Sequence, residues 1–198
     1  MGRPRGFDID KALDQALLVF WSKGFEATTL ADLQKAMGIN RPSLYAAFGN
    51  KEALFMKALD RYAKGPSGFA KEAMEEPTAR AATERLLREI TEAISARGNP
   101  QGCLVVRGLM TCEDASPELR AAVETQRKEL ETMLRRRYDK AKKEGELPPD
   151  TPAADLAKFV QTVIHGIAVQ ATSGTSRRDL QRIAAMAMQA WPGLGRTS

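Results

Sequence analysis

The amino-acid sequence predicts an all-α protein in two parts. Apolar residues recur at intervals of three and four along almost the whole chain, and no alternating run reaches strand length. Glycine, proline and asparagine clusters break these patterns at helix-length intervals. One such cluster, GPSG at 65–68, divides a shorter N-terminal part, 1–64, from a longer one, 65–198.

The first pattern, IDKALDQALLVFWSKGF, puts Leu13, Ala16, Leu17 and Phe20 on one face and stops at Gly24. The second, TTLADLQKAMGI, opens with a capping signature. Thr29 can bond backbone N–H groups while Asp32 occupies the positive first turn. Leu30, Leu33 and Met37 then face the core, and Gly38 ends the helix after about two and a half turns. The third begins at Asn40, a good N-cap, tolerates Pro42 in its first turn and runs only to about Phe48. Asn50 caps a fourth, KEALFMKALDRYAK.

Five more helical patterns lie near 78–97, 102–113, 117–144, 153–173 and 177–190. The fourth of these carries Leu156, Phe159, Val160, Val163, Ile164, Ile167 and Ala171 in one broad stripe. The last carries Leu180, Ile183, Ala184, Ala187 and Trp191.

Composition narrows the function classes. The formal net charge of +5 weakly favours an acidic partner such as nucleic acid, and suits an ordinary basic surface equally well. The N-terminus has no apolar run of signal-peptide type, and no stretch approaches the length of a membrane span. Two cysteines make no disulfide framework, so a reducing, cytoplasmic setting is expected. Paired carboxylates, a nucleophile elbow, a phosphate loop and metal-ligand spacing are all missing from the sequence, so neither an enzyme nor a cofactor or metal site is expected. One histidine and two spaced cysteines do not suit structural zinc.

The corner INRPSLYAAFGNKEALF raises the sharpest expectation. Two short helices separated by GIN form a helix-turn-helix pattern. The second is too short to be stable alone and must be held by Leu44 and Phe48 turned inward. Arg41, Pro42, Ser43 and Tyr45 are then left near its exposed N-terminal end, where a recognition helix meets base edges and phosphates. Arg41 can contact guanine or phosphate, Ser43 either, and Tyr45 a phosphate oxygen. Lys51 and Thr29, at two other helix starts, can add phosphate contacts. In the tail MGRPRGF, Arg3 and Arg5 flank Pro4 on an arm that can enter a minor groove, or is simply a basic terminus.

The stretch GFEATTLADLQKAMGINRPSLYAAFGNKEALF closely resembles the DNA-binding domain of TetR-type transcriptional regulators. The matching positions are Gly24, Phe25, Thr28, Thr29, Ala36, Ile39, Leu44, Tyr45, Phe48, Lys51, Glu52 and Leu54. Met37 is inserted where alanine and glycine usually adjoin, and Ala46 and Ala47 replace a histidine or aromatic. The resemblance implies an all-α homodimer. It has an N-terminal three-helix helix-turn-helix domain, a C-terminal effector-binding and dimerisation domain, and a palindromic double-stranded operator. It also implies that the last two long helices pair with their mates. Their broad stripes agree, and core packing within one chain explains them nearly as well.

The segment NPQGCLVVRGLMTC is similar to the corresponding part of a TetR subgroup that includes the N-ethylmaleimide-responsive repressor. That resemblance implies an electrophile-sensing role for Cys103. The field of a helix N-terminus and Arg107, one turn on, suit such chemistry. Cysteine is also a common small core residue. Cys112 lies about 13 Å further along an intact helix, too far for an intrachain disulfide. The other expectation is a small-molecule effector in an interhelical pocket lined by Leu104, Met110, Phe159 and Val163. His165 either hydrogen-bonds that ligand or caps a buried polar group.

Overall fold

The computed structural model describes residues 7–65, 67–111 and 115–192, without the side chains of 109–111. Arg3, Arg5 and Cys112 lie outside the described residues, as does the Met110 side chain. Among the described residues every regular element is helical. The helices are α1 (Ile9–Lys23), α2 (Leu30–Met37), α3 (Arg41–Phe48), α4 (Lys51–Lys64), α5 (Phe69–Ala73), α6 (Ala79–Ile94), α7 (Leu104–Thr111), α8 (Pro117–Lys143), α9 (Ala153–Thr172) and α10 (Arg177–Gln189).

Local chemistry sets most of these boundaries. Asp8 accepts the Asp10 and Lys11 N–H groups and starts α1, and Gly24 ends it at φ 81°. Thr29 and Asp32 form a reciprocal capping box on α2, and Gly38 closes that helix in the left-handed conformation. Asn40 caps α3 through the Ser43 N–H, and Asn50 caps α4 through the Ala53 N–H. The expected helix near 102–113 starts later, at Leu104, because Gly102 turns the chain at φ 90°. Helix α5 has only five residues, too few to show a period in sequence.

The apolar faces gather into two adjoining cores. One joins α1–α4 around Phe20, Trp21, Leu33, Leu44, Phe48, Leu54 and Phe55. It also takes in Leu104, Ala115, Leu119 and Val123, which follow the 64/65 division in sequence. The other joins α6, the second half of α8, α9 and α10 around Leu86, Leu134, Tyr138, Ile164 and Leu180. Trp191 packs edge-on against Tyr138 at 5.6 Å and closes its far end. A buried ion pair fixes the turn after α8. Arg137 reaches Glu146 at 3.2 Å, and Glu146 accepts the Ala79 N–H that opens α6.

Two long-range bonds join the two parts, and a third braces the N-terminal part itself. The Trp21 indole donates to the Gly102 carbonyl at 2.8 Å, in the interior. The Ser116 N–H at the head of α8 donates to Glu52 on α4 at 3.0 Å. The Arg61 guanidinium clasps Asp14 at 2.9 and 3.1 Å, tying α4 to α1.

Candidate nucleic-acid interface and interior cavity

The recognition corner is built from its buried side outward. Leu44 and Phe48 of α3 are buried, as are Leu33 and Met37 of α2, and Gly38 and Ile39 turn the chain between them. This fixes the roll of α3 and leaves its other face outside. Arg41, Pro42 and Tyr45 are exposed, and Ser43 is half-buried. The Arg41 guanidinium stacks over the Tyr45 ring, 5.6 Å from its centroid. Two donor groups suited to base edges and phosphates are therefore held side by side on one short helix.

Two sequence-expected phosphate contacts are differently engaged. The Thr29 hydroxyl accepts the Asp32 N–H at 3.1 Å and donates to Asp32 Oδ2 at 2.8 Å, so it serves the cap of α2. The Lys23 ammonium, 2.6 Å from Asp32, and the Thr29 bonds hold that carboxyl well below the usual carboxylate range. A negative charge therefore stands beside Thr29. Lys51 lies over the Phe25 ring at 4.4 Å and reaches the Glu26 carbonyl at 3.4 Å, back against its own domain.

A cavity of about 500 Å³ lies between α4, α5, α6, α7, α8 and α9. Its apolar wall includes Phe69, Ile90, Ile94, Val106, Leu130 and Ile164. Cys103 and His165 line it. Three other expected lining residues do not. Leu104 is fully buried in the N-terminal core, because the turn at Gly102 rolls that side of α7 toward α1 and α4. Val163 packs half-buried against the second core. Phe159 is 42% exposed, because the α9 stripe is broad enough to wrap onto the outer surface.

Cys103 precedes the first turn of α7, whose Arg107 N–H bonds the Cys103 carbonyl at 3.0 Å. The Arg107 side chain reaches the Gln101 carbonyl at 3.5 Å and is not part of the cavity wall. Tyr62 sits beside Cys103. Burial raises the Tyr62 hydroxyl well above its ordinary pKa, the neighbouring Cys103 adds to this, and the Leu104 N–H opposes it. His165 makes no hydrogen bond to any described protein group, so it caps no buried polar partner there. Burial, with the Arg127 charge nearby, lowers its pKa and keeps the ring neutral.

Sequence reasoning missed Trp21, Glu52, Tyr62 and the Arg127–Gln161 pair as parts of this arrangement. Their bonds link residues far apart in the chain, and no short-range pattern announces them.

Outside the cavity, α9 and α10 expose a second apolar surface. Phe159, Gly166 and Val169 are exposed on α9, and Ile183 and Met186 on α10. No described helix is long and apolar enough to cross a membrane.

Residues 12–58 match the family model described as bacterial regulatory proteins, tetR family. Residues 81–187 match the model described as tetracyclin repressor-like, C-terminal domain. The HTH-type transcriptional repressor ComR of Escherichia coli K12 is 34% identical over 195 residues, which are 98% of this chain and 93% of ComR. BdcR, a repressor of the same organism, is 30% identical over 96% of this chain and 91% of its own. Among solved structures, a cysteine mutant of CifR is 39% identical with a TM-score of 0.90, covering 96% of this chain and 100% of its own. It is described as a TetR family transcriptional regulator complexed with 26-base-pair operator DNA. Reduced E. coli NemR shares 20% identity at a TM-score of 0.75, with 90% of this chain and 94% of its own covered. That level of likeness carries the fold alone.

Proposed function

The chain belongs to the TetR family of bacterial regulatory proteins, and from that premise we propose that it is a transcriptional repressor released from a palindromic operator by a small-molecule effector. In this reading residues 1–64 bind DNA and residues 65–198 hold the effector and the dimer contact. The protein works in the cytoplasm, by binding rather than catalysis.

The observation that carries the reading is the exposed Arg41–Tyr45 pair at the start of a helix whose opposite face is buried. Arg41, Pro42, Ser43 and Tyr45 enter the major groove, and Lys51 supports the phosphate contact. Arg3 and Arg5 add minor-groove contacts. Thr29 contributes through the cap it builds. Support for a homodimer comes from the exposed apolar residues of α9 and α10, a surface suited to a second copy of the same helices. Two recognition helices related by a two-fold axis require a symmetric DNA site.

Effector release follows from differential affinity. A ligand that fits the cavity better in one spacing of the two recognition helices draws the population toward it. The test is selection of bound DNA from a random pool at two salt concentrations. A palindrome whose affinity falls steeply with salt is expected. A chain that stays monomeric and selects no sequence overturns the proposal.

A thiol-switched repressor is the second reading, and the placement of Cys103 in the cavity wall favours it. There Sγ adds to the activated carbon–carbon double bond of an electrophile: the carbon–sulfur bond forms as the π bond breaks, the thiol proton passes to solvent, the adjacent carbon takes up a proton from solvent, and the adduct crowds Tyr62. A Cys103→Ser variant separates the two. It keeps release by a non-covalent ligand and loses release by an electrophile.

A further inference from the structure

The charged side chains around the cavity are matched at its rim. Arg127 grips both carboxylate oxygens of Glu124 at 2.7 and 2.8 Å and reaches Glu131 at 3.2 Å. Gln161 accepts from the same guanidinium at 3.3 Å and donates back to the Arg127 carbonyl at 2.7 Å. Four of the five guanidinium N–H donors are thereby directed at protein groups. On the opposite rim Lys64 pairs with Asp60 at 2.8 Å. Lys71 and Glu129 complete the charged lining, and both are exposed to water.

The remaining polar side chains of the lining are those of Tyr62, Ser67, Cys103, Gln126, Gln161 and His165. The His165 imidazole makes no hydrogen bond to another described protein group, though the Arg127 charge acts on it. A neutral imidazole offers one donor and one acceptor, so it can meet a hydroxyl or a carbonyl. A ligand bearing a full charge would leave water and find every nearby counter-charge already paired or solvated, which is costly in an apolar interior.

We propose that the cavity selects an electrically neutral, largely apolar molecule with one hydrogen-bonding group placed against His165, and rejects anions and cations of the same shape. This rests on reading the cavity as the effector site, and it names the chemistry that site accepts.

The test uses the full-length protein and the neutral fluorophore N-phenyl-1-naphthylamine, displaced in turn by 1-decanol, decanoate and decylammonium. Decanol is expected to displace the probe at least about tenfold more tightly than either ion. His165→Phe keeps the probe and weakens decanol by about two- to tenfold, the size of one net hydrogen bond. Ala93→Trp, at a half-buried lining position, fills the cavity and abolishes probe binding. Equal displacement by decanoate or decylammonium overturns the proposal, as does an Ala93→Trp variant that binds probe and decanol unchanged. Adding the selected operator DNA separates the two claims. Decanol that binds as expected yet leaves DNA bound upholds this selectivity and defeats the effector reading. Decanoate that binds and releases DNA does the reverse.

Discussion

Trp21 of α1 donates its indole N–H to the Gly102 carbonyl, 2.8 Å away and 81 residues further along the chain. Gly102 is pinned from two more sides. Its N–H bonds the Ile94 carbonyl at the end of α6 at 3.2 Å. A Cβ at Gly102 would run into the Thr172 methyl and lie 3.1 Å from the Ala168 carbonyl, both on α9. The next residue, Cys103, lines the cavity. The cavity wall and the first helix of the chain are thus joined through the neighbouring pair Gly102 and Cys103.

Removing the indole donor isolates this link. Trp21→Phe keeps an aromatic ring in the core but leaves the buried Gly102 carbonyl without that donor, at a cost of about 1–3 kcal/mol. Urea unfolding measures that loss. In gel-shift titrations the variant is expected to bind operator yet need more effector for release. Release identical to the parent protein removes Trp21 from the coupling route.

The recognition pair separates base reading from phosphate binding. Arg41→Ala is expected to relax sequence preference at one position of each half-site, at about 1–3 kcal/mol if the contact is bidentate to guanine. Tyr45→Phe removes a hydroxyl and should weaken all sequences about equally. Affinities for selected and scrambled duplexes distinguish these outcomes. A Tyr45→Phe loss confined to the selected duplex assigns the hydroxyl to a base edge instead.

The outer stripe of α9 and α10 predicts the assembly state. A glutamate at Ile183 or Met186 places a charge among apolar side chains that no described element of the same chain covers. The double variant Ile183→Glu, Met186→Glu should halve the mass measured by light scattering while circular dichroism stays helical. An unchanged mass puts the dimer contact elsewhere.

His165 predicts a pH-dependent stability. Burial lowers its folded pKa below the ordinary 6.5 of the unfolded chain. Between those two values the unfolded chain binds more protons, so stability rises with pH. The contribution is complete above about pH 6.5 and is lost as pH falls toward the folded value. His165→Phe should flatten this part of the curve in urea titrations. Glu124, held to about 2 by Arg127 from an ordinary 4.5, acts in a separate and more acidic window. Its stabilisation is present above about pH 4.5 and lost as pH falls toward 2. The slope just below pH 6.5 therefore reports His165, and the same slope in the Phe variant excludes it.

Sequence made the recognition corner legible because short-range chemistry builds it. Thr29 with Asp32, Asn40 with Ser43, and Asn50 with Ala53 are bonds between neighbours, and glycines 24, 38 and 49 end the helices between them. The cavity was much less legible. Its walls come from helices scattered over a hundred residues, and the roll of each helix decides which side faces inward. Leu104 and Phe159 show the difficulty. Both lie on apolar stripes, yet one faces the N-terminal core and the other faces solvent. A stripe broad enough to serve two surfaces does not say which residue serves which.

The core around α1–α4 also holds Leu104, Ala115, Leu119 and Val123, all beyond residue 64. A truncation after residue 64 would strip those four side chains away and open apolar surface around Phe55 and Trp21. Chimeric regulators that graft this DNA-reading head onto a foreign sensor would therefore inherit a wound at the seam.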